Sequence, residues 1–457
     1  MNTYSLKLEQ FICAAFMIII FLVCEVAKNV IIGNDDLVIL LYACLVTLSY
    51  FISTFVTVKN FQYDWLHPVV IFWGMLGLFI YNRFILHTLG LTDITVPNFM
   101  AFHTLKFSSI VITARMLFVF SICFCFSIFL LPSSGKSKVT WALRRNKFYL
   151  QCGMFFMLFG LLPAYYIQYQ FYLEFLKGGY LSVFTHQISY NPPPFIKLPA
   201  MFFRLGFFLV LVSIPTKREF KIAFVLFFPF IILNLMTGIR GYYFSFILTI
   251  LFYYYSIISP KGVNIRRIIL IGLSIILLAD FFASYRLGLS PFSTGFLVFY
   301  SFIYDQGTSI LAVIHAVDLK SSGLLSGDII NLFDVVLTPD FMLQDKVDFL
   351  ISPDAKSKGF SFGGSLFQEA YVIGGLGFVG LIGFCIPMFL NAIMYLASSN
   401  RAILALLLMV LPNIIFSPRS RLLDFIFKNT DYFIVFAFLL FILYILRRRI
   451  ESFIYSS

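Results

Sequence analysis

The chain reads as long apolar runs separated by short polar punctuation. The runs are rich in Phe, Leu and Ile, and they lack the alternation of an outer-membrane barrel strand. A hydrocarbon core about 30 Å thick takes roughly 20 mostly apolar helical residues to cross. Helices are then the spanning structure that satisfies the backbone. The pattern predicts about 12 transmembrane helices, at roughly 10–27, 37–58, 68–86, 108–131, 148–170, 198–214, 222–239, 241–258, 268–284, 369–396, 401–416 and 431–446. The expected fold class is an all-α polytopic membrane protein, with residues 1–457 forming a single integral membrane domain.

Composition agrees. Of 457 residues, 60% are hydrophobic and 12% charged, whereas a soluble domain is roughly 45–50% apolar. The net charge of +12 does not ask for a nucleic-acid partner, because no basic soluble domain exists to carry one. All seven cysteines fall in apolar runs, which speaks against a disulfide framework or a zinc site. The first run, around Phe11 to Val26, is followed by no small-residue cleavage site and reads as a retained span.

Charge placement orients the runs. Alternate connections carry Lys7, Lys59, the cluster from Lys136 to Lys147, Lys217 to Lys221, Lys261 to Arg267, Arg401 and Arg447 to Arg449. The other short connections are poor in Lys and Arg, so the positive-inside rule places the amino terminus in the cytoplasm. An even number of spans returns the carboxyl terminus there. Two outward segments are long: 171–197, which contains Pro192-Pro193-Pro194, and 285–368 between the ninth and tenth spans. The second retains apolar residues throughout and is expected to form an ordered, partly membrane-associated cap, with a re-entrant or interfacial helix near Pro291 to Tyr304.

Charged groups at the rim of an apolar layer are the candidates for chemistry. Arg240 lies in Thr237-Gly238-Ile239-Arg240-Gly241-Tyr242-Tyr243, a break between two outward-ending runs. Its guanidinium suits an anionic headgroup, although snorkelling to lipid phosphate is the plainer alternative. Arg204, Arg286, Arg419 and Arg421 share the same expected side, against the positive-inside bias. Their forked donors match phosphate oxygens, and for Arg204 a structural partner in the bundle is an equal alternative. Glu369, in Gly363-Gly364-Ser365-Leu366-Phe367-Gln368-Glu369-Ala370-Tyr371, opens the tenth span. It reads as a macrodipole-favoured first-turn carboxylate, a general base, or the partner of an arginine. Asp280, Asp305 and His315 are weaker candidates, and His186 is either a polar-substrate contact or ordinary surface. No P-loop, H-E-x-x-H or nucleophile elbow is present. The short cytoplasmic connections leave no room for ATP or a nucleotide sugar, so a donor activated within the membrane is expected.

Three local patterns, with the span count and loop placement, resemble the O-antigen polymerases of the Wzy type. They are Thr-Gly-x-Arg-Gly at 237–241, Gly-Gly-Ser-x-x-x-Glu-Ala-Tyr at 363–371 with Gly-Gly-Leu-Gly at 374–377, and Pro-Arg-Ser-Arg at 418–421. The resemblance covers most of the chain and implies a membrane glycosyltransferase of the inner membrane, similar to GT-C-like enzymes, working at the periplasmic face. Donor and acceptor would both be undecaprenyl-pyrophosphate-linked oligosaccharides, and the growing chain would pass onto the incoming unit. Arg240 and Glu369 become the implied catalytic pair, with Arg204, Arg286, Arg419, Arg421, Tyr242, His186 and Tyr371 contacting pyrophosphate or glycan. No cofactor and no metal are expected, and a polysaccharide chain-length regulator is a possible partner. Two other readings stay open. An O-antigen ligase shares the donor, and a lipid-linked oligosaccharide flippase shares the span count but should show repeated halves and short outward loops.

Overall fold

The computed structural model describes residues 3–31, 33–95, 105–132, 141–189, 192–237, 240–260, 297–325, 343–353, 363–422 and 430–456, with 356, 424 and scattered positions between 266 and 284. It is 85% helix, with no strand among the described residues. The elements are α1 Thr3–Val30, α2 Asp35–Asn60, α3 Pro68–Leu76, a π turn Gly77–Tyr81, α4 Asn82–Thr88, α5 Phe107–Leu130, α6 Lys147–Ser189, α7 Pro194–Val212 and α8 Lys217–Met236. They continue with α9 Arg240–Tyr253, a π turn Tyr254–Ile258, α10 Leu297–Gln306, α11 Thr308–Ser321, α12 Leu343–Ile351, α13 Leu366–Ala397, α14 Arg401–Phe416, a 3-10 turn Ser417–Arg419 and α15 Thr430–Ser456.

Among the described residues, nine helical segments are long and apolar enough to cross a membrane, and shorter apolar helices occupy Tyr242–Ile258 and Tyr432–Leu446. These eleven coincide with eleven of the runs expected from sequence. Of the remaining run, 268–284, nine of seventeen positions are described, each of them helical. The chain is therefore a polytopic, all-helical membrane protein. One difference concerns 171–197, expected as a loop. There α6 continues to Ser189, and α7 begins at Pro194 with Pro193 as its N-cap. Proline is preorganised for a first helical turn, so the triple proline leads into α7.

Contacts gather into two compact units. The first comprises Met1–Lys138, Thr294–Ala392 and Ile415–Asp424, and the second Val139–Ser293, Ile393–Ile414 and Phe425–Ser457.

In the first unit α1, α2 and α5 are joined by a polar knot at the membrane-facing helices. Arg115 Nε donates to Glu25 Oε1 at 2.7 Å, and Tyr42 Oη donates to the same oxygen at 2.7 Å. A charge in an apolar layer is tolerated when it is paired in this way. The span Pro68–Thr88 is interrupted by its π turn and buried almost throughout, with Trp73 Nε1 donating to Thr54 Oγ1 at 2.8 Å. Within 285–368 the described residues include three helices, α10, α11 and α12. Ala312 and Ala316 of α11, Leu325, and Leu343, Val347 and Ile351 of α12 form an apolar cluster with Val372 of α13.

Helix α13 is broken one turn further on. Gly375 adopts φ +62° and ψ −152°, a conformation essentially reserved for glycine. The break deprives the preceding carbonyls of their helical partners. Lys320 of α11 supplies substitutes: its Nζ donates to the carbonyls of Tyr371 at 2.7 Å and Val372 at 3.0 Å.

In the second unit α6 and α7 approach backbone to backbone. A Cβ added to Gly160 would lie 2.2 Å from the Pro199 carbonyl oxygen, and one added to Gly206 would lie 2.7 Å from Met157 N. Small residues at such crossings permit van der Waals packing where no hydrophobic drive separates helices from lipid. Helix α8 starts with a capping box, Thr216 N donating to Glu219 Oε2 at 2.8 Å and Glu219 N to Thr216 Oγ1 at 3.4 Å. Arg401 caps the end of α7, donating to Val212 O at 3.1 Å, and also donates to Arg144 O in the segment before α6. Basic residues that sequence explains by sidedness thus also satisfy helix ends.

Candidate functional site

The first unit holds a sealed charge pair. Ser365 Oγ accepts from Phe367 N at 3.2 Å and starts α13, which puts Glu369 in the first turn where the helix dipole favours a carboxylate. Glu369 is 3% exposed and Arg421 5%. Arg421 Nε donates to Glu369 Oε1 at 3.3 Å, and the backbone N–H of Leu422 donates to Oε2 at 2.7 Å. Both carboxylate oxygens are engaged by the turn that follows the 3-10 segment Ser417–Arg419. Buried Asp424 closes that turn, its N–H donating to Arg421 O at 3.3 Å. Sequence reasoning passed over Asp424, although its spacing after Arg421 and its place at the end of the Pro-Arg-Ser-Arg stretch were visible.

Arg419 stands at the other end of the same turn. Its Nη1 donates to Gln306 Oε1 at 2.7 Å, and its Cζ lies 5.6 Å from the Phe79 ring centroid. Gln306 ends α10, so the end of that helix reaches the arginine turn directly. One turn beyond Phe79 lies Arg83, 1% exposed, with its Cζ 3.4 Å from the Tyr304 ring centroid. This arginine was missed from sequence because the run around it averages as apolar.

Tyr371 is two residues from Glu369 on α13, and the ammonium of Lys320 lies 4.9 Å from its ring centroid. His315 is buried in α11, and Asp305 is exposed at the end of α10.

The second unit has its own arginine cluster. Arg204 of α7 donates from Nη1 to Tyr432 Oη and from Nη2 to Tyr243 Oη, each at 3.2 Å. Its Cζ lies 5.0 Å from the Phe230 ring centroid. Tyr242 meets Tyr243 edge to face at 5.3 Å. Among the described residues, phenols and ring faces partner this guanidinium. Arg240 is the first residue of α9, directly after the break at Thr237, and Gly238 and Ile239 lie outside the described residues. His186 lies within α6, and Arg286 and Asp280 are outside the described residues.

The described residues thus bring together Glu369, Arg421 and Arg419 in one unit, and Arg204 with Tyr242 and Tyr243 in the other. Among them, no group of three His, Cys, Asp or Glu side chains is placed to hold a metal ion. No curated protein and no solved structure matches the chain. The family model of O-antigen polysaccharide polymerase Wzy matches residues 10–449. That match spans nearly every apolar run and both arginine clusters, and by it the chain belongs to the O-antigen polysaccharide polymerase Wzy family, membrane enzymes that polymerise O-antigen repeat units.

Proposed function

We propose that this chain joins O-antigen repeat units at the periplasmic face of the bacterial inner membrane. The glycan of one undecaprenyl-pyrophosphate carrier passes to a second lipid-linked unit, and undecaprenyl pyrophosphate leaves. The reading takes the membrane to be crossed twelve times with both ends in the cytoplasm, as the charge bias indicates.

The observation that carries the reading is the Glu369–Arg421 pair, buried at the start of a span and adjoining Arg419. A polymerase of this kind needs fixed cations where pyrophosphate charge grows during bond breaking, in a place from which water is excluded. Ion pairing is an expensive way to hold a helix to a turn, which favours a functional reason for keeping charge there. The position of Glu369 in sequence suits a general base or the partner of an arginine. With both oxygens engaged by Arg421 and Leu422, the second role is the better supported: Glu369 sets the position of Arg421 and of the turn. Arg419 and Arg421 then meet the phosphate oxygens. In the second unit, Arg240 at the break before α9 and Arg204 among its phenols are assigned contacts with the anionic lipid-linked substrate, with Tyr242 as a glycan contact. Arg286, His186 and Tyr371 keep the glycan-contact role that the family resemblance implies.

The test is deletion of the gene in its host, with the surface polysaccharide separated on a gel. Polymerase loss leaves core capped with a single repeat unit. Bare core with polymer held on the carrier indicates a ligase, and bare core with no polymer indicates a flippase.

A further inference from the structure

We propose that Arg83 is an oxyanion-binding residue of this polymerase, its guanidinium edge receiving the phosphate oxygens of the substrate. The proposal rests on the polymerase reading above and adds a site which that reading does not contain.

Arg83 is almost wholly buried, yet among the described residues no carboxylate pairs with it and its Nε and Nη2 find no acceptor. One face of the guanidinium lies on Tyr304 at 3.4 Å. Stacking occupies a face and leaves the in-plane donors free, so the unmet Nε and Nη2 present the forked edge that fits two oxygens of one phosphate. Burying a charge with its hydrogen bonds unmade is strongly unfavourable. Such an arrangement persists where the missing partner is a ligand.

The local backbone is shaped around this side chain. The π turn Gly77–Tyr81 comes immediately before Asn82 and Arg83, in a span where Tyr81, Asn82, Arg83 and Phe84 are all buried. Single π turns inside helices recur at functional positions. Gly307 makes the close approach possible, since a Cβ there would fall 2.2 Å from Asn82 Oδ1 and 2.8 Å from Arg83 Cγ. The Asn82 amide also donates to the Ile303 carbonyl, and its Oδ1 has no donor. The segment that covers Arg83 therefore ends at Gln306, which holds Arg419.

The test uses the full chain in nanodiscs, with binding of undecaprenyl pyrophosphate and of undecaprenol measured for wild type, Arg83→Met and Arg83→Lys. The expected result is a loss of at least tenfold in affinity for undecaprenyl pyrophosphate in Arg83→Met, a smaller loss in Arg83→Lys, and no change for undecaprenol. The ligand-free melting temperature of Arg83→Met should not fall, because an unpaired buried charge has been removed. Wild-type affinity in either variant overturns the proposal, as does a lowered ligand-free melting temperature with binding intact. Competition by inorganic pyrophosphate identifies the oxyanion alone as the ligand, and its failure to compete assigns the site to the lipid-borne group. A wild-type chain that builds no polymer refutes the reading beneath, whereas polymer made together with unchanged Arg83→Met binding refutes this proposal alone.

Discussion

Glu369 and Arg421 lie 52 residues apart and meet with a 3.3 Å hydrogen bond, both side chains buried. Removing one partner of a buried pair leaves the other charge stranded and costs about 3–5 kcal/mol, while removing both together is often neutral. Glu369→Gln and Arg421→Met should each lower the melting temperature and the amount of protein in the membrane. The double variant should recover most of that stability and still make no long O-antigen chains. Thermal melting in detergent and a polysaccharide gel read the two effects separately, and polymer made by the stable double variant would remove the pair from the mechanism.

Gly375 tests the break in α13. Its φ of +62° with ψ −152° is strained for any residue with a Cβ, by about 1–3 kcal/mol. Gly375→Ala should lower the melting temperature accordingly. Gly377→Ala, where an added Cβ meets nothing within 4 Å, should be neutral or slightly stabilising in the same helix. Equal effects at the two positions would show that the break is not what the glycine serves.

Lys320 is the partner of that break. Losing its two donations, to Tyr371 O and Val372 O, leaves two carbonyls unmet at roughly 1–3 kcal/mol each. Lys320→Met should destabilise the chain more than any nearby exposed lysine substitution. Amide exchange around residues 371–376 should quicken in the variant, and unchanged exchange would contradict the capping role.

His67 gives a pH dependence. Burial pushes its imidazole down to about 3, well below the usual 6.5, and its Nδ1 accepts from Val69 N at 3.3 Å at the start of α3. The unfolded chain takes up a proton near pH 6.5 and the folded chain only near 3. The stability from neutral His67 is therefore complete above 6.5 and falls as pH drops through that window, by at most about 1.4 kcal/mol per pH unit. Melting temperature between pH 7.5 and 5 should decline more steeply in wild type than in His67→Asn, which keeps an N-cap acceptor that does not titrate. Parallel slopes would contradict it.

The apolar runs made the spanning helices legible, since hydrocarbon thickness dictates their length whatever they pack against. The 171–197 segment was legible as a long connection, whereas the continuation of α6 to Ser189 and the start of α7 at Pro194 were not, because its Gly and Pro residues carry no apolar periodicity. Glu369 and Arg421 were recognisable as residue types out of place in an apolar run. Their pairing was not, because it depends on a turn folding back across 52 residues of separation. Arg83 escaped notice for a related reason. A hydropathy average absorbs one cation among Phe79, Ile80, Tyr81 and Phe84, and only the π turn and the approach of Tyr304 give it an environment. Tyr371 was legible as an aromatic beside Glu369, whereas the Lys320 ammonium over its ring came from a helix 51 residues away.

The most direct measurement is polymerisation by the purified chain in liposomes supplied with one lipid-linked repeat unit and no nucleotide sugar. The account expects glycans of two and more repeats, with one undecaprenyl pyrophosphate released for each new bond, and none of either from Arg421→Met. Polymer that appears only when a nucleotide sugar is added, or bonds formed without release of the lipid pyrophosphate, would contradict it.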